Sequence, residues 1–176
     1  MSIPAVPDTA MPPEQAPRTL HGQRFWLMKN EPDEYSFAHA LAAPGATIAW
    51  NGVRNYQARN FMRDEMQPGD GVLYWHSSCA EPGIYGLARI AGNLRVDPSQ
   101  FDPEDPYYDP KSPRDKPRWL TLDVQALKAA APALLIAALR RHPELEQMRV
   151  LQKGNRLSIT PVTPAEWDFI VKLLEN

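Results

Sequence analysis

The placement of proline constrains this chain more than any other sequence feature. Of its 176 residues 19 are proline; five of these lie in Met1–Gln23 and six in Asp97–Pro117, where four of them follow an aspartate. Proline fixes φ and removes a backbone donor, and the first segment also has few large apolar side chains. We therefore expect a disordered Pro-rich tail over residues 1–23 and a single domain over residues 24–176. A long irregular loop is expected at Asp97–Pro117 inside that domain.

Charge and composition exclude several classes of function. The chain has 19 Lys and Arg against 21 Asp and Glu, which is not typical of a charge-driven duplex binder. No apolar run approaches the ~20 residues that span a bilayer. The single Cys79 cannot form an internal disulfide, and the four histidines lack metal-ligand spacing. Since glycine-rich nucleotide motifs are also missing from the sequence, we expect neither metal nor cofactor.

Short apolar runs separated by turn signals predict an α+β fold. We expect strands at residues 24–29, 47–50, 71–75, 84–96 (bent at Gly92), 119–124 and 156–160. Helices are expected at residues 35–41, 55–66, 132–141 and from 163 to the end. Asn55 should cap the second of these helices, and Thr163 with Glu166 forms a capping-box pattern before the last. About five or six strands among four helices favour a small curled sheet or barrel over a doubly wound fold.

The segment Trp50–Asn60 concentrates side chains that suit recognition rather than nucleophilic catalysis. It holds two aromatic rings, two guanidiniums, three Asn and one Gln. Arg54 precedes the first turn of the expected helix, where the helix dipole disfavours a cation unless an anion binds there. With Arg59 and Arg63, the stretch Val53–Arg63 carries a charge of +3 and contains no acid. Such a stripe fits one nucleotide or a short strand, although a solvated, Asn-capped helix remains the simpler alternative.

The expected strand at residues 71–75 offers a second aromatic feature. Alternation along it places Tyr74 and His76 on one face and Trp75 on the other. One face should pack in the core, so the opposite face could present a stacking platform for a base.

Several motifs, in order along residues 24–176, resemble the EVE domain family, which includes the thymocyte nuclear protein group. The most specific is the contiguous block Val53–Asn60. The others are Trp26–Pro32, Tyr35–Phe37, Tyr74–Ser77, Pro82–Gly86, Phe101–Pro103, Tyr108–Ser112, Pro117–Trp119, Arg156–Ser158 and Pro161–Trp167. The family usually shows Lys-Ser-Glu-Pro where this chain has Lys29-Asn30-Glu31-Pro32, and Trp is common where Phe37 stands.

The resemblance implies a PUA-like fold, a small curled β-barrel with flanking helices, related to YTH domains that bind a methylated adenine in RNA. It also implies a non-catalytic reader that holds a flipped-out modified base of DNA or RNA in an aromatic pocket. Since Asn30 offers an amide in place of a hydroxyl, its base preference could differ. The residues carried over are Trp26, Lys29, Asn30, Ser36, Trp50, Tyr74 and His76 for the pocket, and Arg54, Asn55, Tyr56, Arg59 and Arg63 for the rim.

Two other classes of function stay open on the sequence. The chain could be an enzyme acting on a nucleotide or modified base, with Lys29, Glu31 and His76 as acid and base groups. Lys29 and Glu31 could equally form a local ion pair. The chain could also be a protein-binding adaptor that uses the loop Asp97–Pro117 and the tail. Without a targeting signal in the sequence we expect a cytoplasmic location, with nuclear or nucleoid association left open; the sequence is silent on oligomeric state and protein partners.

Overall fold

A mixed six-stranded sheet forms the centre of the molecule in a computed structural model that describes residues 22–176. Its strands are β1 (Phe25–Asn30), β2 (Thr47–Ala49), β3 (Gly71–His76), β4 (Gly83–Ile90), β7 (Asp123–Leu135) and β8 (Ile159–Val162). They lie in the order β2-β7-β4-β3-β1-β8. Two short strands, β5 (Arg95–Val96) and β6 (Leu120–Thr121), pair separately. The sheet curls into a half-barrel.

Five helices flank the sheet. They are α1 (Pro32–Tyr35), α2 (Phe37–Ala42), α3 (Tyr56–Asp64), α4 (Ile136–Leu139) and α5 (Pro164–Glu175). Single 3-10 turns lie at Pro44–Ala46, Pro98–Phe101, Pro143–Leu145 and Arg149–Leu151.

Both faces of the sheet are buried, which gives the molecule two cores. Side chains of a strand alternate between faces, so Trp26 and Tyr74 pack with α3 while Leu27 and Trp75 pack with α4 and α5. This division explains why the central strands read as unbroken apolar runs. The predicted alternation of Tyr74 and Trp75 is confirmed. Both faces are core, however, so neither presents the exposed stacking platform that was predicted.

Three neighbouring strands bring separate parts of the chain to one edge of the sheet. Strands β1 and β3 are parallel, with Asn30 beside His76, so the residues that follow each strand leave at the same edge. Strand β8 runs antiparallel to β1 and begins at that edge. The Lys29 N–H donates to the Ser158 carbonyl at 2.8 Å just before β8. Residues far apart in the sequence therefore become neighbours there.

Buried side chains, rather than regular structure, hold the proline-rich loop. The Gln100 amide donates to the carbonyls of Asp97 and Trp119 at 2.6 and 2.8 Å, and its oxygen accepts from the Ser112 hydroxyl and the Trp119 N–H. Apart from the turn Pro98–Phe101 the segment is irregular, as predicted. These bonds satisfy backbone groups that a sheet or helix would otherwise satisfy.

Two of the predicted helix caps are confirmed. The Asn55 side chain accepts from the Ala58 N–H at 3.1 Å at the start of α3. Thr163 and Glu166 form a reciprocal capping box at the start of α5. The first predicted helix begins at Phe37 rather than residue 35, because the Ser36 hydroxyl accepts from the His39 N–H and caps it.

Three further predicted elements have different boundaries in the structure. The helix predicted at residues 132–141 is largely strand, since β7 continues to Leu135 by pairing with β4, and only α4 is helical. The strand predicted at residues 84–96 ends at Ile90, and Gly92 lies in the break after it, where an added Cβ would lie 2.5 Å from an Asp123 carboxylate oxygen. The last strand is Ile159–Val162, so most of the predicted 156–160 segment precedes it. The predicted tail, residues 1–23, lies almost wholly outside the described residues.

Candidate functional site

A groove opens at the edge of the sheet where β1 and β3 end. Its larger hollow, about 310 Å³, takes its wall from four strand ends, helix α1 and one loop. A second hollow of about 250 Å³ shares five of its residues, and we treat the two together as the groove. The larger hollow is lined by Lys29 and Asn30 at the end of β1 and Glu31 after it, Glu34 in α1, Trp50, Asn51, Gly52 and Val53 after β2, Ser77 and Ser78 after β3, Tyr107 in the proline-rich loop, and Arg156 and Ser158 before β8.

Trp50 provides a rigid aromatic wall for the groove. Its side chain is 4% exposed, and its backbone N–H donates to the Leu122 carbonyl at 2.8 Å. The Tyr74 ring packs edge-on against it with centroids 5.2 Å apart, and Phe37 packs edge-on against Tyr74 in turn. The Tyr74 hydroxyl donates to the Tyr35 carbonyl, and burial raises the pKa of Tyr74 to about 12. Tyr74 therefore supports Trp50 from behind and stays neutral.

The Asn51-Gly52 turn brings the backbone against Tyr107. Gly52 has a φ of +86°, and a Cβ at this position would lie 2.7 Å from the Tyr107 ring, so only glycine fits. The Tyr107 hydroxyl donates to the Glu34 carboxylate across the groove. Burial, followed by this hydrogen bond, raises the pKa of Tyr107. The pair ties the proline-rich loop to the residues that follow β1.

Lys29 is a half-buried cation in the groove wall. Burial lowers its pKa below the ordinary 10.5, because water is removed from the ammonium group. Within residues 22–176 no carboxylate lies within the 4.0 Å of an ion pair with Lys29, so the local pair with Glu31 does not form. The neighbouring Asn30 side chain accepts from the Glu31 N–H at 2.9 Å. An uncompensated cation at a concave site favours an anionic ligand.

Four of the seven predicted pocket residues do not line the groove. Trp26 is fully buried, and its indole N–H donates to the Asp70 carboxylate at 2.9 Å. His76 accepts from the Phe37 N–H at 3.0 Å, and burial lowers its pKa, so its imidazole is a neutral structural acceptor. The remaining two are Ser36, which caps α2, and Tyr74, which lies behind Trp50. Lys29, Asn30 and Trp50 do line the groove, and their role in a base pocket stays a prediction.

The Arg54 guanidinium is engaged within the chain and is not the free cation that the prediction from the helix dipole assumed. Its five N–H groups make five hydrogen bonds inside the chain, two of them to the Tyr107 carbonyl at 2.7 and 2.9 Å. The others reach Asp97, Ser99 and the Val53 carbonyl, each at 2.9 Å. Arg54 therefore anchors the proline-rich loop to the turn that carries the groove.

The other predicted rim residues lie along α3. The Arg59 guanidinium lies 4.8 Å from the centre of the Tyr56 ring, and the Tyr56 ring lies 4.9 Å from that of Trp119. Arg54 is in turn 5.6 Å from the rings of both Trp119 and Tyr107. A ladder of rings and guanidiniums thus leads from the groove to the exposed Tyr56. The last two rim residues are Asn55, which caps α3, and Arg63, which pairs with the adjacent Asp64.

Sequence reasoning gave no site role to nine residues of the groove wall. Asn51, Gly52 and Val53 lay in the recognition segment Trp50–Asn60 without a role of their own, while Ser77, Arg156 and Ser158 lay inside motifs without an assigned role. Ser78 has a φ of +52°, an uncommon conformation for a residue other than glycine, and no sequence signal predicts it. The remaining two, Glu34 in α1 and Tyr107 in the proline-rich loop, reach the groove only through the tertiary fold.

The part of the chain that the structure describes has neither a metal-binding cluster nor a membrane-spanning helix. Residues 22–176 contain no group of three or more His, Cys, Asp or Glu side chains that could hold a metal ion. Within the same range no helix is long and apolar enough to cross a membrane.

A half-barrel sheet with flanking helices and a groove at its strand ends is the PUA-like architecture. The EVE domain model matches residues 24–173, and the chain belongs to the EVE domain family.

Relatives of known structure share this fold. Human thymocyte nuclear protein 1 is 38% identical over 167 residues, covering 86% of this chain and 74% of its own. A crystal structure of human THYN1 protein in complex with 5-methylcytosine-containing DNA matches with a TM-score of 0.82, covering 88% of this chain and 99% of that one. A Pseudomonas syringae protein, 42% identical, matches with a TM-score of 0.81 over 85% of this chain and 99% of its own. A YTH domain from Zygosaccharomyces rouxii, 16% identical with a TM-score of 0.54, shares the fold alone.

Proposed function

We propose that this chain is a non-catalytic reader of a modified base in DNA or RNA. The base is flipped out of its strand and held in the groove against Trp50. The observation that carries the proposal is a groove with one braced aromatic wall and polar lining, in a fold shared with a human relative whose structure contains 5-methylcytosine DNA. No cofactor is needed for such recognition.

The groove offers the two kinds of contact that base recognition requires. Stacking on an aromatic ring contributes ~1–3 kcal/mol per base, which is comparable to the cost of unstacking the base. The amides of Asn30 and Asn51 can each donate and accept hydrogen bonds to a base edge. Since Trp50 is fixed by Tyr74 and by its own backbone, little side-chain entropy is lost on binding.

The enzyme alternative receives less support from the geometry. Lys29 and Glu31 line the groove, but His76 is engaged with the Phe37 N–H and lies outside the lining. The acid–base set suggested by the sequence is therefore not assembled at one place. The adaptor alternative and the cytoplasmic location stay predictions of the sequence.

The first experiment is to measure binding of matched short DNA and RNA strands, with and without modified bases, at two salt concentrations. The panel includes 5-methylcytosine and N6-methyladenine. We expect a preference for one modified base that persists at the higher salt, because stacking and base-edge contacts are not screened. Recovery of the modified nucleoside unchanged after incubation would support a non-catalytic role. Equal, salt-sensitive binding to every strand would contradict the reader, and turnover of the base would favour the enzyme.

A further inference from the structure

The cations that line the groove come from one side of it. Lys29 lies near the end of β1, and Arg156 lies in the segment before β8, which is the neighbouring strand. Ser77 follows β3 on the other side of β1, and its N–H donates to the Asn30 carbonyl at 2.9 Å. Three adjacent strands thus place an ammonium, a guanidinium and serine hydroxyls along one wall of the larger hollow.

These two cations differ from the arginines nearby in having no carboxylate partner. All five N–H groups of Arg54 are hydrogen-bonded within the chain. A guanidinium nitrogen of Arg118 lies 3.9 Å from a carboxylate oxygen of Asp109. For Lys29 and Arg156 no carboxylate of residues 22–176 lies within 4.0 Å. Arg156 is exposed, so its guanidinium is available to a ligand.

The half-buried position of Lys29 adds an energetic argument. Burial disfavours the charged ammonium, as its lowered pKa reflects, and no carboxylate offsets that cost. A phosphodiester carries one negative charge, and its oxygens accept strong charge-assisted hydrogen bonds from ammonium, guanidinium and hydroxyl donors. The groove wall therefore has the donors of a phosphate site. The two carboxylates that also line the hollow, Glu31 and Glu34, lie farther than 4.0 Å from both cations, and Glu34 accepts from the Tyr107 hydroxyl.

We propose that Lys29 and Arg156, with the hydroxyls of Ser77 and Ser158, bind the backbone phosphate next to the flipped-out base. The inference rests on the proposed function and adds to it the part of the groove that fixes the strand. It moves phosphate recognition from α3, where the sequence placed it, to the β3–β1–β8 edge. A phosphate held there positions the nucleotide, whereas Trp50 and the two Asn amides read the base.

The test replaces one phosphate and one arginine, separately and together. The probe is a short single-stranded DNA with one 5-methylcytosine, made with a neutral methylphosphonate on its 5′ or its 3′ side. The proteins are the wild type, Arg156→Gln and Arg141→Gln. Arg141 is an exposed arginine beyond α4, so Arg141→Gln is the charge-matched control. We expect one of the two methylphosphonates to weaken wild-type binding roughly tenfold or more.

The decisive result is how the two changes combine. If Arg156 contacts that phosphate, Arg156→Gln weakens binding to the normal strand, and the methylphosphonate then has little further effect. The slope of log Kd against log salt should also fall by about one in Arg156→Gln but not in Arg141→Gln. Lys29→Gln should behave like Arg156→Gln, with thermal unfolding showing that each variant is folded.

Other outcomes separate this inference from the proposed function. If the losses of binding free energy from the methylphosphonate and from Arg156→Gln add up, or if Arg156→Gln binds like Arg141→Gln, the phosphate site is wrong. A retained preference for the modified base would then still support the reader. If the wild type prefers no modified base but the two changes remain non-additive on an unmodified strand, the reader is wrong and the phosphate site stands. If the wild type binds no strand, both are wrong.

Discussion

Asn51 is the single residue whose substitution tests the groove most directly. It is exposed, lines both hollows and lies outside the two cores. We predict that Asn51→Ala lowers affinity for the preferred strand roughly tenfold through a lost hydrogen bond, with an unchanged unfolding midpoint. Titration of a labelled strand measures the affinity, and Asn93→Ala, at an exposed asparagine in the turn after β4, is the control. Equal affinity of the two variants would contradict a base-reading role.

Lys29 is the residue at which binding and stability should oppose each other. At neutral pH the folded state bears the full desolvation cost of the ammonium, and that cost disappears as the pH rises through the lowered pKa towards 10.5. We predict that Lys29→Met leaves the unfolding midpoint at pH 7 unchanged or raised, while DNA binding weakens. Thermal unfolding and strand titration measure the two effects, with the exposed Lys128→Met as control.

The opposite pattern would decide against this assignment of Lys29. A variant that unfolds more easily but binds DNA as the wild type does would show that the lysine has a structural role. Wild-type binding should also weaken at alkaline pH as Lys29 loses its proton, and that dependence should be absent in Lys29→Met.

Among the elements, the proline-rich loop depends most on one buried carboxylate. Asp97 is fully buried and accepts from Arg54, the Gly52 N–H and both the N–H and hydroxyl of Ser99. It therefore joins the loop that carries Tyr107 to the turn after β2. The groove is built where these two irregular segments meet.

We predict that Arg54→Gln lowers the free energy of unfolding by about 2–4 kcal/mol, because it strips a buried carboxylate of its partner and frees the Tyr107 carbonyl. The matched control is Arg95→Gln, which breaks an exposed ion pair with Asp123 and should cost less than about 1 kcal/mol. Urea denaturation of both variants measures the difference. Equal losses would mean that Arg54 does not anchor the loop.

Strand β7 shows why some elements could not be predicted from the sequence. Its second half, Lys128–Leu135, is rich in alanine and leucine, residues that favour a helix, and a helix was predicted from Pro132. The structure instead pairs these residues with β4, through Gly83 beside Leu135 and Ile84 beside Leu134. Pairing across some fifty residues outweighs local preference, and no local signal reports it.

For the molecule as a whole, the described residues contain both cores. Near the start of these residues, Arg24 pairs with the buried Glu65, and the Trp26 indole N–H donates to Asp70. We predict that a chain lacking residues 1–21 keeps the unfolding midpoint and strand affinity of the full chain. Thermal unfolding and strand titration of the two chains measure this. A weaker affinity with an unchanged midpoint would place the N-terminal segment in the binding surface.

The sequence by itself determined the features that depend on neighbouring residues. The caps at Asn55 and Thr163, the irregular loop at Asp97–Pro117 and the apolar runs of the central strands follow from local chemistry, and the family follows from contiguous motifs. Three of the predicted pocket residues, Lys29, Asn30 and Trp50, line the groove.

Only the tertiary structure decided which of two similar side chains serves the groove. Arg54 and Arg156 both carry a guanidinium. That of Arg54 is hydrogen-bonded to Asp97 and Tyr107, whereas Arg156 lines the groove wall. Tyr74 and Tyr107 likewise divide between the core and the groove. The physical reason is that availability depends on hydrogen-bond partners brought from distant positions, and a carboxylate some forty residues away leaves no local trace in the sequence.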